Sequence, residues 1–170
     1  PLSKCRPTAK RMPTNTARLP RLSPNGCRTL SAARADTDAL CAVAHGPADA
    51  PPVVLLHGFL GDGRDWEHIA AALAESFRVY ALDLPGHGGS PPVGEVEVFY
   101  AALAAWCDAF VQRPIGLVGY SMGGRLALQW ACRYPERVGR LVLESASPGL
   151  QGQAERMPRL RHDAQVADAL

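Results

Sequence analysis

From Ala39 onward the chain alternates between short apolar runs and longer stretches in which apolar residues recur every three or four positions. Runs of strand length cover about Ala39 to Ala44, Val53 to Leu56, Phe77 to Leu82, Ile115 to Tyr120 and Arg140 to Leu143. Between them, Trp66, Ile69, Ala70 and Leu73 mark one face of a helix over Asp65 to Ala74. Val96, Phe99, Tyr100, Leu103, Trp106, Cys107 and Phe110 mark a second helix. Leu126, Ala127, Leu128, Trp130 and Ala131 mark a third. Strands that alternate with helices predict parallel pairing, right-handed crossovers and helices on both faces of one sheet. Ligands in such sheets sit beyond the carboxyl ends of the strands. Phe59, Ser121 and the loop after Glu144 all fall there.

Residues 1–38 break this pattern. Positions 1–35 carry Lys4, Arg6, Lys10, Arg11, Arg18, Arg21, Arg28 and Arg34 with no Asp or Glu and no apolar period. The segment reads as a basic leader or linker outside the fold, and its Arg-rich, acid-poor composition fits either an organelle transit peptide or an upstream linker. Elsewhere composition adds little. With 47% hydrophobic and 20% charged residues and a formal charge of +2, the chain can bury a core and shows no basic or acidic excess that calls for a nucleic-acid partner. No run approaches the ~18 apolar residues that span a bilayer, so a cytoplasmic protein without a membrane partner is expected. Five cysteines, an odd number without metal-ligand spacing, fit a reducing compartment. Cys107 and Cys132 read as small buried apolar residues of helices. No metal or cofactor is expected.

Three segments carry chemistry. In Gly119-Tyr120-Ser121-Met122-Gly123 the serine stands between a strand and a helix. Two residues without a Cβ let the chain bend sharply there and expose the hydroxyl, although a glycine-rich turn with a helix-capping serine would read the same way. Val53 to Leu56 runs into His57-Gly58-Phe59-Leu60-Gly61-Asp62, and Val79 to Leu82 runs into Asp83-Leu84-Pro85-Gly86-His87-Gly88. In this order the three blocks resemble the α/β-hydrolase family. The resemblance implies a nucleophile elbow at Ser121 and an oxyanion hole from the backbone N–H groups of Phe59 and Met122. His57 and His87 read as loop-ordering residues. The fold expected is α/β, a mostly parallel sheet with helices on both faces. Its core would occupy 39–150, and a cap or lid would begin at 151–170.

That family places a carboxylate and then a histidine after the serine, within a domain of roughly 200 to 250 residues. Here about 50 residues follow Ser121, and His162 is the one histidine among them. Glu144 ends a strand and could orient a base. His162, however, sits in an Arg-rich, helix-like stretch and reads as a surface residue. The chain is therefore expected to lack its late strands, with the triad acid and histidine beyond residue 170.

Adding Glu144-Ser145-Ala146-Ser147-Pro148-Gly149-Leu150 and the arginines that follow, the sequence resembles the 2-succinyl-6-hydroxy-2,4-cyclohexadiene-1-carboxylate synthases of menaquinone biosynthesis over about residues 39–168. This resemblance implies a carbon–oxygen lyase that eliminates pyruvate from a small polycarboxylate. It implies Ser121 as catalytic residue and Arg125, Arg159 and Tyr120 as substrate-binding residues. A guanidinium suits a carboxylate because two parallel N–H bonds fix its orientation. Arg156 and Arg161 read as an exposed lid face. A serine hydrolase acting on an ester or carbon–carbon bond, and an inactive fragment of such an enzyme, remain the alternatives, because an elbow alone does not choose a reaction.

Overall fold

The computed structural model describes residues 28–29, 40–111, 113–150 and 152–168. Six strands form one sheet: β1 (Arg28–Thr29), β2 (Cys41–His45), β3 (Pro52–Leu56), β4 (Arg78–Leu82), β5 (Ile115–Tyr120) and β6 (Val138–Glu144). Their order across the sheet is β1-β2-β4-β3-β5-β6. β3, β4, β5 and β6 pair in parallel, while β2 runs antiparallel to β4 and β1 antiparallel to β2. The mostly parallel sheet expected from the alternating pattern is present. β3 lies near its centre, and all five of its residues are buried, as a strand covered on both faces requires.

The helices are α1 (Glu67–Leu73), α2 (Val96–Phe110), α3 (Met122–Arg133) and α4 (Gln153–Asp168). The alternation of side chains along β3 sorts them into two layers. Val54 and Leu56 face a core with Phe99, Tyr100, Leu103 and Trp106 of α2 and Ala127 and Trp130 of α3. Val53 and Leu55 face the opposite core, with Trp66 and with Ala70 of α1. The α2–α3 layer is cross-linked: the Trp130 indole donates to the Tyr100 carbonyl at 3.1 Å, and the Tyr100 hydroxyl donates to Gln129 Oε1 at 3.1 Å. Truncating a buried tryptophan such as Trp130 costs about 3–5 kcal/mol, so this layer anchors the helix that begins at Ser121.

Several local expectations change. A 3-10 turn over Gly63–Trp66 precedes α1, because Asp62 caps it and Asp65 closes a reciprocal capping box. Ile69 and Val96, placed on buried faces by periodicity, are exposed: the apolar stripe of each helix is narrower than the pattern suggests. Cys107 is buried, and its thiol is pushed up to about 12 by that burial. Cys132, expected to be buried, is exposed on α3. Cys41 is disulfide-bonded, which an expectation of uniformly reduced thiols did not include. β1 lies within the basic leader and pairs with β2; positions 1–27 and 30–38 fall outside the described residues. No helix among the described residues is long and apolar enough to cross a membrane.

Candidate active site

Ser121 stands between β5 and α3 with φ +50° and ψ −109°. A capping serine adopts extended backbone and accepts a bond from the first turn of its helix. Ser121 does neither, having no side-chain cap bond, which sets aside the capping reading. A non-glycine residue at such angles costs on the order of 1–3 kcal/mol and persists only where the surroundings hold it. Here they do. Ser121 N–H donates to the Glu144 carbonyl of β6 at 2.9 Å, and Gly123 N–H donates to the His57 carbonyl at 3.1 Å. A Cβ on Gly123 would collide with the carbonyl oxygens of both Leu56 and His57, so only glycine lets α3 approach β3 this closely. Between these two occupied donors lies the N–H of Met122, which has no acceptor among the described residues.

The loop after β3 is ordered just as firmly. His57 is buried; its Nε2 accepts from Leu84 N–H at 2.9 Å, which leaves Nδ1 to donate to the Gly58 carbonyl at 2.8 Å. Both ring nitrogens are thus committed, and burial lowers the imidazole pKa below its usual value. The structural role expected of His57 fits this arrangement. His87 packs edge-on to it, with ring centroids 5.1 Å apart, and holds the Pro85 carbonyl at 3.0 Å. Asp83 is an organiser that the sequence pattern did not single out. Its carboxylate accepts from Gly63 N–H at 2.8 Å and from Gly89 N–H at 2.7 Å, tying the loop after β4 to the turn after the Phe59 loop. Its place at the head of the Asp-x-Pro-Gly-His-Gly block was the available signal. Phe59 itself is exposed, beside Leu60 at φ +61°.

A cavity of about 440 Å³ lies over Ser121. Phe59 of the loop after β3, Met122 and Arg125 of α3, and Arg159, His162 and Asp163 of α4 line it. Phe59, Met122, Arg125 and Arg159, all expected at the site, therefore surround Ser121. Arg159 is oriented by Asp163, whose carboxylate takes its Nε at 2.7 and 2.9 Å and leaves the terminal nitrogens of the guanidinium uncommitted. Tyr120 is not among the lining residues. Its ring covers Gly58 and borders a separate cavity of about 300 Å³ with His57, Trp66 and Glu144. Glu144 and His162 consequently line different cavities and form no ion pair. His162 is exposed, as expected, and also lines the Ser121 cavity, although it makes no hydrogen bond to the serine.

Comparison with known proteins decides the family. The α/β hydrolase fold model matches residues 51–168. The chain belongs to the α/β-hydrolase family. Among curated relatives, the 2-succinyl-6-hydroxy-2,4-cyclohexadiene-1-carboxylate synthase of Escherichia coli O1:K1 is 41% identical over 126 residues, covering 72% of this chain and 49% of that protein. The synthase of Escherichia coli O81 is 40% identical over the same length. The chain thus spans about half the length of the curated relatives it matches. Among solved structures, a marine microorganism esterase superposes with a TM-score of 0.67 at 26% identity, covering 76% of this chain and 49% of its own. The thioesterase domain from the curacin biosynthetic pathway gives 0.62 at 29% identity, over 74% and 48%. A hydrolase from Pseudomonas aeruginosa gives 0.64 at 26%, over 85% and 52%. The strained serine, the neighbouring free N–H and the glycine at the start of α3 go together: the turn that sets Ser121 at φ +50° also leaves a backbone donor beside it without an acceptor among the described residues.

Proposed function

We propose that this chain carries the serine, the oxyanion donors and the carboxylate-binding arginines of a lyase that eliminates pyruvate from 2-succinyl-5-enolpyruvyl-6-hydroxy-3-cyclohexene-1-carboxylate. The observation that carries the reading is the placement of Arg125 and Arg159 in the cavity over Ser121. An ordinary ester asks for no cation there, whereas a polycarboxylate does. Similarity to the synthases of Escherichia coli supports the same substrate class.

The chemistry asked of the site is modest. A base removes a proton next to the succinyl carbonyl, the electron pair moves through the ring double bond, and the carbon–oxygen bond to enolpyruvate breaks. The departing enolate becomes pyruvate on taking up a proton. Negative charge grows on the succinyl oxygen as the proton leaves, and N–H groups of Phe59 and Met122 aimed at that oxygen lower the barrier by a few kcal/mol each. Ser121 stands beside both. Arg125 and Arg159 would hold carboxylates and align the breaking bond.

The experiment is pyruvate release from this substrate by the full-length protein, followed with a coupled dehydrogenase. Ser121→Ala is expected to lower the rate by about 10³-fold or more without unfolding the protein. A rate retained in this variant would remove Ser121 from the reaction. A second reading, a serine hydrolase, is favoured by the esterase and thioesterase neighbours. Arg125→Ala separates the two. Loss of a carboxylate partner should cost roughly 2–5 kcal/mol in kcat/KM on the carboxylated substrate and far less on p-nitrophenyl acetate. Equal losses on both would favour the hydrolase.

A further inference from the structure

Arg125 and Arg159 do not line one cavity only. Each also borders a second, outer cavity of about 480 Å³, lined further by Ser147, Leu150, Glu155 and Arg156. The two residues therefore form part of the partition between a compartment that contains Ser121 and one that does not. Arg156 belongs to the outer compartment alone. Its Nε donates to the Leu150 carbonyl at 2.7 Å, which tethers the side chain to the loop after β6 and leaves both terminal nitrogens available. Arg161, on the same helix, lines neither compartment.

The outer compartment thus gathers three guanidinium groups, of which Arg159 is partly neutralised by the Asp163 carboxylate at its Nε, against the carboxylate of Glu155, which pairs with no arginine among the described residues. Like charges gathered in one cavity repel one another, and an anion seated among them relieves that repulsion. We propose that the outer cavity is a second anion subsite. Arg156 and Ser147 receive there the distal carboxylate of a polycarboxylate whose reacting end lies at Ser121, with Arg125 and Arg159 serving both compartments. The proposal rests on the carboxylate-binding reading above and extends it: the ligand is a molecule with at least two separated carboxylates, long enough to cross the partition.

The test is equilibrium binding at constant ionic strength, by calorimetry, with succinate and tricarballylate as probes. Arg156→Gln is expected to weaken tricarballylate about fivefold, the range of an exposed charge pair, and succinate less than about twofold. Arg161→Gln, which removes the same charge outside both cavities, should change neither. Equal weakening by the two variants would reduce the effect to bulk charge and overturn the subsite, as would an unchanged affinity in Arg156→Gln or a wild-type protein that binds neither probe. Pyruvate release is measured separately, on the full-length protein. Its absence alongside an Arg156-dependent preference for tricarballylate would sink the lyase and leave the subsite standing.

Discussion

Ser121 and the Phe59 loop are held by buried groups, whereas Arg159, His162 and Asp163 project from a helix in which no residue is buried. On the sheet side, backbone donors are matched to the carbonyls of Glu144 and His57, and the Asp83 carboxylate joins two loops. On the α4 side the only ion pair among the described residues is the exposed one between Arg159 and Asp163. That pair places the acid after the base along the helix, the less favourable order for helix stability. The contrast teaches a division of labour. On the proposed reading, groups that would meet developing charge at a set point are fixed by contacts too costly to rearrange, while groups that would meet a diffusing anion stay in water, where an arginine keeps its charge at little cost.

The largest test of this contrast is Gly123→Ala. A methyl group there meets two backbone carbonyls rather than a flexible side chain, so a loss of about 3 kcal/mol or more is expected by denaturant unfolding. A variant of unchanged stability would show that the elbow can relax, and would dissolve the distinction. A middle-sized effect comes from pH. Burial depresses the His57 pKa in the folded state, so the unfolded chain binds the proton more readily. Stability should therefore be level above the ordinary imidazole value of about 6.5 and fall as pH drops below it toward the depressed folded value. Unfolding curves across that window check the slope, and a profile no steeper than that of His57→Asn would contradict it. The smallest effect is expected on α4. Asp163→Ala should change stability by less than about 0.5 kcal/mol yet weaken succinate binding a few-fold, because Arg159 loses the carboxylate that orients it. Asp163→Asn, which keeps an acceptor for Nε, should restore part of that affinity.

Much of the fold is legible in the sequence because its signals are local. The apolar runs locate β2 to β6 to within a few residues, and the Gly119-to-Gly123 block locates the bend. Exposure is less legible. Ile69, Val96 and Cys132 follow a helical period, but a period cannot say how wide a stripe the neighbouring layer covers. The surroundings of Ser121 are legible only in part: His162 is exposed, as the sequence reading has it, yet also lines the Ser121 cavity, while Tyr120, adjacent to the serine in the chain, borders another.

What the sequence determined by itself was the alternation of elements, the glycines that permit the turn at Ser121 and the order of the three loops, since each depends on residues close together in the chain. Tertiary structure alone decided which donors stay free, that Asp83 joins the turn before α1 to the loop after β4, and that Arg125 and Arg159, from the helices that precede and follow β6 in the chain, share a partition between two cavities. Those outcomes depend on the packing of α3 against β3 and on where α4 comes to lie, distances set by contacts between segments and carried by no single stretch of sequence.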